Sequence, residues 1–167
     1  MQRESVDEAP AAGPGPDVAS YWEEVRSGRR MPLQYVSLLG LRPAGAVEIA
    51  RKVEAGLRYR ALDRLQRNTR FSTGELAEVA AITLRTLQRR KEQGRLAPDE
   101  SDRLLRVSRV FAKALELFEG DAVAARRWLG TPARALGGER PIGLARTDVG
   151  SREVEALIER LEQGVVT

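Results

Sequence analysis

The chain of 167 residues contains no cysteine and no histidine. Without cysteine there is no disulfide, no thiolate nucleophile and no cysteine-ligated zinc. Without histidine there is no Ser-His-Asp triad and no imidazole acid–base pair. The commonest routes to catalysis are closed, so the expectation is a non-enzyme with no cofactor and no metal. Aromatic residues make up only 5% of the chain, which argues against an all-β protein. No apolar run approaches the ~20 residues that a membrane span needs. No N-terminal stretch joins a basic region to an apolar core as a signal peptide does. A cytoplasmic protein with no membrane partner is the expectation. What remains, 42% apolar and 31% charged residues, is ordinary for one globular domain or two small helical ones sharing a core.

Basic residues number 28 against 24 acidic, and all but Lys52, Lys91 and Lys113 are arginine. A GC-rich genome produces the same bias, so arginine content alone does not identify a nucleic-acid partner. Position says more. Residues 1–30 carry net −2, residues 31–95 net +7, residues 96–147 net +2 and residues 148–167 net −3. A basic first half and an acidic end suggest two surfaces with different partners.

Apolar residues recur at helical spacing and never alternate as in strands, which predicts an all-α protein of about six to eight helices. Three of the eight prolines fall in residues 1–17, where no periodicity exists. Residues 1–30 therefore read as a disordered or weakly ordered extension. Within it, Tyr21, Trp22 and Val25 could make one short helical contact, ended by Gly28, Arg29 and Arg30. After Pro43, Val47, Ile49, Ala50 and Val53 line one side of a helix that stops at Gly56. This helix is the candidate for part of a homodimer contact. Another helix runs from about Tyr59 to Asn68, with Leu62 and Leu65 inward.

Residues 72–93 are the most informative. Ser72 with Glu75 fits a capping box, and Leu76, Val79 and Ala80 continue a short helix. Ala81 and Ile82 break the pattern, Thr83 offers a new cap, and a second helix runs to Gln93 before Gly94. Two short helices about a turn of three or four residues make a helix-turn-helix. Leu84 and Leu87 are read as its inward side. Thr83, Arg85, Thr86, Gln88, Arg89, Arg90, Lys91 and Arg95 are the candidate DNA-binding residues. Arg85, Gln88 and Arg89 are placed for base edges, and Arg90, Lys91 and Arg95 for phosphates. Such pairs of helices also occur in proteins that never touch DNA, with the arginines as a solvated face. Five like charges over residues 85–95, against Glu92 alone, do not stabilise an isolated helix.

Pro98 opens the longest helix, with Leu104, Val107, Phe111, Leu115 and Phe118 as a buried stripe. Gly120 ends it and Asp121 caps a helix whose Val123, Trp128 and Leu129 point to the same core. Residues 130–150 hold five glycines and two prolines, a compact loop in which Leu136, Ile142 and Leu144 need burial. Gly137–Gly138 lacks the strand and lysine of a phosphate loop and reads as a turn. Thr147 caps a last helix with Val154, Leu157, Ile158 and Leu161 inward. Glu153, Glu155, Glu159 and Glu162 have no partner base and read as solvated or interface residues. Gly164 closes the helix and leaves Val165, Val166 and Thr167 as an apolar tail.

The segments 86–96, 101–118, 125–150 and 153–166 resemble the Xre/MbcA/ParS group of bacterial antitoxins. Within them, Trp128, Leu129, Pro132, Leu136, Gly137, Gly138, Pro141, Leu144, Thr147 and Gly150 satisfy the family pattern W-L-x-x-P-x-x-x-L-G-G-x-x-P-x-x-L-x-x-T-x-x-G. The resemblance covers roughly residues 40–167. This chain departs from it at Ala97, where a serine cap is usual, and at Ala81–Ile82, where the turn lacks the usual glycine. The resemblance implies an Xre-like helix-turn-helix domain over 31–97 that binds double-stranded promoter DNA as a repressor, and a toxin-binding domain over 98–167. It implies a partner toxin of the RES-domain class, which consumes NAD, and a homodimer within a larger toxin–antitoxin complex. On this reading Glu159, Glu162, Gly164, Val165, Val166 and Thr167 cover the toxin's active site, and Gly137, Gly138 and Pro141 shape the docking surface behind them. The alternative is a protein-interaction module or a stand-alone transcriptional regulator that neutralises no toxin.

Overall fold

The computed structural model describes residues 16–29 and 31–165. Among them are nine α-helices and two 3-10 helices, and no strand. The α-helices are α1 (Pro16–Arg26), α2 (Ala46–Glu54), α3 (Arg60–Thr69), α4 (Thr73–Ala80), α5 (Leu84–Gln93), α6 (Pro98–Leu117), α7 (Ala122–Gly130), α8 (Pro141–Leu144) and α9 (Asp148–Glu162). One 3-10 helix, Gln34–Leu39, follows α1, and the other, Arg134–Leu136, follows α7. The all-α expectation holds, with more helices than anticipated because α1 and the single turn of α8 add to the set. Among the described residues no helix is long and apolar enough to cross a membrane.

Helix α6 is the spine. Leu104, Val107, Phe111 and Leu115 lie at spacings of three and four residues and are fully buried, so one stripe of a single helix meets several neighbours. Packed against it are α2, α3, α4, α7, α9 and the 3-10 helix Gln34–Leu39. Phe71, between α3 and α4, stands edge-on to Phe111 with ring centres 6.2 Å apart, an arrangement the aromatic quadrupoles favour.

The helix ends follow local chemistry. Ser72 Oγ accepts from Glu75 N while Glu75 Oε2 accepts from Ser72 N, completing the capping box. Thr83, Asp121 and Thr147 cap α5, α7 and α9 through side-chain oxygens. Ala97 has no such oxygen. The Glu100 carboxylate accepts the Ala97 N–H instead, at 2.8 Å, and so supplies half of a capping box.

Four inward assignments are corrected, among them Ala50 of α2, which is exposed. Val47 is 66% exposed, because two positions from buried Ile49 is about 200° around a helix. Val123 is exposed for the same reason, since Ala122, Ala125 and Leu129 occupy the buried face of α7. Leu84 is 59% exposed, because it begins α5 where no neighbouring element reaches it.

The N-terminal region differs more. Residues 1–15 and Arg30 lie outside the described residues, but residues 16–26 form a helix that joins the core. Val18 and Tyr21 are buried, and the Tyr21 hydroxyl donates to Glu116 Oε1 at 2.6 Å. Asp17 accepts from Arg64 and from Asn68, both at 2.9 Å. The Trp22 ring lies over Gly120, where an added Cβ would come within 2.6 Å of it. The expectation of a weakly ordered segment there fails because each tie is made to a residue far along the chain.

Two backbone positions generate opposite expectations. A Cβ on Gly150 would lie 2.1 Å from Leu144 O and 2.8 Å from Thr147 Oγ1, so the start of α9 closes only on glycine. Ala81, at the turn between α4 and α5, has φ 54°, a left-handed conformation that costs an alanine about 1–2 kcal/mol. In urea denaturation, Gly150→Ala is expected to lower stability by about 2–3 kcal/mol through overpacking. Ala81→Gly is expected to raise it by up to about 1 kcal/mol, after the greater unfolded-state entropy of glycine is subtracted.

Candidate nucleic-acid and partner interfaces

Leu87 is the only buried residue of α5, so one leucine anchors the helix and the remaining faces are open. Thr83 Oγ1 accepts from Thr86 N at 3.1 Å, which places these two threonines in the helix cap. Arg85, Arg89 and Lys91 are exposed, and among the described residues none has a recorded polar partner. Gln88 reaches Glu92 at 3.3 Å, a loose contact that water exchanges easily. Arg85, Gln88 and Arg89 share one face of α5, suited to base edges and phosphates, whereas Lys91 stands about 200° around the helix from Arg89.

Two of the expected phosphate contacts are committed elsewhere. Arg90 forks onto Glu100, with Nε 2.9 Å from Oε2 and Nη2 3.0 Å from Oε1. Glu100 is 3% exposed, so this bond fastens α5 to the start of α6. Arg95 Nη1 donates to Ala55 O and Gly56 O at 3.1 and 2.6 Å, satisfying carbonyls at the C-terminal end of α2. Nearness in sequence to the other basic residues suggested phosphate binding for both, but their acceptors lie within the fold.

The turn ahead of α5 is braced from the C-terminal half. Arg126 of α7 reaches Glu75 at 3.1 Å and Arg140 reaches Glu78 at 2.5 Å, so both carboxylates of α4 are held. Burial pushes the Glu75 carboxyl up, but the Ser72 N–H and Arg126 outweigh it and leave it below its ordinary value.

At the other end, Ala133, Leu136, Gly138 and Glu139 close the loop by backbone bonds of 2.9–3.2 Å. Gly137 and Gly138 are both left-handed and exposed, and the turn reading of this pair stands. Pro141 is buried at the first position of α8. It supports the loop from within and is removed from the docking surface. The 3-10 helix Arg134–Leu136 rests against α9. On α9, Glu155 pairs with Arg109 at 2.7 Å, and Lys113 bridges Glu155 and Glu159 at 3.3 and 2.9 Å. Burial lowers the Lys113 pKa, but the two carboxylates more than reverse this; Lys113 in turn holds the Glu159 carboxyl below its usual range. Glu162 is exposed beside them. With Tyr21, Met31, Tyr35 and Lys113 it lines a cavity of about 360 Å³ between α1, α6 and α9, a surface that the reading of residues 1–30 missed. Gly164 turns left-handed and the Val165 N–H returns to Arg160 O at 2.9 Å, leaving Val165 47% exposed. Val166 and Thr167 lie outside the described residues.

Residues 48–109 match the family described as the antitoxin Xre-like helix-turn-helix domain, and residues 113–164 match the antitoxin Xre/MbcA/ParS C-terminal toxin-binding domain. The chain belongs to the Xre family of antitoxins. It is similar to Antitoxin Xre of Photorhabdus laumondii, 35% identical over 113 residues, which are 67% of this chain and 76% of that one. Antitoxin Xre of Yersinia enterocolitica is 34% identical over 128 residues, 76% and 86% of the two chains. Antitoxin Xre of Pseudomonas putida is 38% identical over 84 residues, 50% and 52% of the two. The two matched segments meet within α6, so the spine of this Xre-family fold is common to both of its functional regions.

Two outcomes follow from these contacts. Arg90→Ala strands a buried carboxylate and is expected to cost about 2–3 kcal/mol of folding stability, below the range for fully buried pairs because Arg90 is partly solvated; urea denaturation measures it. Glu75, with its pKa depressed in the fold, contributes stability that is present above the ordinary carboxylate pKa and lost as pH falls toward the folded value. Glu75→Gln should lower stability near neutral pH and flatten its decline across that acid window, read from melting temperature against pH.

Proposed function

We propose that this Xre-family chain is the antitoxin of a type II toxin–antitoxin pair whose toxin is a RES-domain enzyme that degrades NAD. The chain neutralises that enzyme by steric occlusion and represses its own operon by binding promoter DNA as a dimer. The observation that carries this reading is the presence of two unspent surfaces at the two family-matched ends of one fold. The first is the exposed side of α5, where Arg85, Gln88 and Arg89 share one face and Lys91 flanks it in the last turn. The second is the end of α9, where exposed Glu162, beyond the Lys113-held Glu159, precedes the Gly164 turn and exposed Val165.

On the DNA side, Leu87 and the Arg90–Glu100 fork fix the pitch of α5, so Arg85, Gln88 and Arg89 project together into a major groove while Lys91 meets the backbone. On the toxin side, carboxylates and an apolar tip suit a concave basic pocket of the sort that accepts the phosphates of a dinucleotide. The tail performs no chemistry. It occupies space that substrate would need, with Gly137 and Gly138 as a second contact behind it.

Arg89→Ala is expected to cost ~1–3 kcal/mol on the promoter site and to relax its sequence preference, measured by titration of labelled duplex. Deletion of residues 163–167 should abolish toxin neutralisation in cells while promoter binding in vitro persists, because α5 is untouched. Full neutralisation by the truncated chain would move inhibition to the Gly137 loop.

A further inference from the structure

One cavity belongs to neither surface. It has a volume of about 610 Å³ and lies where the end of α2, the start of α3 and the residues after the first 3-10 helix meet. Its floor is apolar, formed by Leu39, Leu57 and Ala61. Around it stand Lys52, Arg58, Arg60, Arg64, Arg67 and Arg95, and among the described residues no carboxylate lines it. Three of these cations serve the fold: Lys52 pairs with Glu48, Arg64 with Asp17, and Arg95 with the carbonyls of Ala55 and Gly56. Arg58, Arg60 and Arg67 are exposed and have no recorded polar partner among the described residues. Arg60, Arg64 and Arg67 follow at four and three positions along α3, so a single helix face delivers all three to the cavity.

A concavity lined by one sign of charge over low-dielectric walls focuses the field and concentrates counter-ions. Guanidinium forks match phosphate oxygens better than any other common anion donor set. We propose that this cavity is a phosphate-binding site, with Arg58, Arg60 and Arg67 as its free donors.

Its position ties it to α5. Arg58 and Arg95 face each other in an antiparallel bridge, and the Tyr59 N–H reaches Gly94 O at 2.9 Å, just past the end of α5. Gly56 is pressed onto the same segment, where a Cβ would lie 2.2 Å from Leu96 O. The cavity therefore abuts the C-terminal end of α5, which carries Lys91 in its last turn and Arg95 just beyond it. This adjacency favours the backbone of a duplex flanking the site read by α5, and in that respect the inference rests on the DNA-binding reading. A soluble polyphosphate offers the same groups and is the other source.

The experiment uses the full chain and the double variant Arg60→Gln/Arg67→Gln, which alters neither α5 nor the buried core. Binding is measured to the promoter duplex and to an unrelated duplex over a range of salt. The double variant is expected to weaken both duplexes at least tenfold, and to flatten the log–log salt slope by about two, one counter-ion for each cation removed. The charge-preserving Arg60→Lys/Arg67→Lys variant should keep the slope, which separates lost charge from lost folding. Melting temperature is followed in parallel with inorganic triphosphate. Unchanged duplex binding by the double variant, together with a triphosphate-induced rise seen in the parent and absent from the variant, would assign the site to free polyphosphate and still support it. If the double variant matches the parent in both measurements, the site is refuted. The triple variant Arg85→Ala/Arg89→Ala/Lys91→Ala separates the two readings. Should it keep its preference for the promoter, the α5 assignment fails, and the cavity is judged on the double variant alone.

Discussion

The burial of one face of α6 is the constraint on which the rest of the molecule depends. A helix of 20 residues spans about 30 Å, long enough for α2, α3 and α4 to use one part of its stripe and α7 and α9 another. Neither half of the chain has a core of its own, because Leu104, Val107, Phe111 and Leu115 are shared. The helix-turn-helix and the toxin-binding segment are thereby parts of one folded body, and the family boundaries falling inside α6 follow from that sharing.

Charge is laid over this frame with a clear division of labour. Arg90, Arg95, Arg109, Arg126 and Arg140 each hold a specific acceptor within the protein, at the ends or flanks of helices. Each tie contributes little where it is exposed and more where its carboxylate is buried, as at Glu100. Their larger effect is positional. Arg126 and Arg140 reach from the C-terminal half onto Glu75 and Glu78, so the first helix of the helix-turn-helix is set by contacts with the region that the family uses to bind toxin. Arg85 and Arg89 on α5, with Arg58, Arg60 and Arg67 around the α2–α3 cavity, carry charge that no acceptor among the described residues consumes. A chain rich in arginine is thus not uniformly a polyanion binder, and the free residues number far fewer than the composition suggests.

The N-terminal helix illustrates the same point for apolar residues. Val18, Tyr21 and Trp22 lack the length of stripe that marks α6 or α9, and prolines precede them. The helix persists because Tyr21 and Trp22 find Glu116 and Gly120 at the far end of α6, and Asp17 finds Arg64 and Asn68 on α3. Isolated helices of this length are marginal in water, and packing is what stabilises them.

Much of the fold was legible in the residues because the signals were local. The caps at Ser72, Thr83, Asp121 and Thr147 join groups three residues apart, and the stripe of α6 repeats every three or four positions. Those spacings alone placed the two short helices, the turn between them and the open face bearing Arg85, Gln88 and Arg89. What tertiary structure decided was which side chains remained unspent. Arg90 meets Glu100 ten positions away, Arg95 meets Gly56 across 39, and Tyr21 meets Glu116 across 95. Pro141, assigned to the docking surface through the family resemblance, is buried beneath that loop. The cations of α2 and α3 converge on one cavity only when those helices pack. A cap is a property of consecutive residues, whereas a partner across the fold exists only after α6 has brought the segments together.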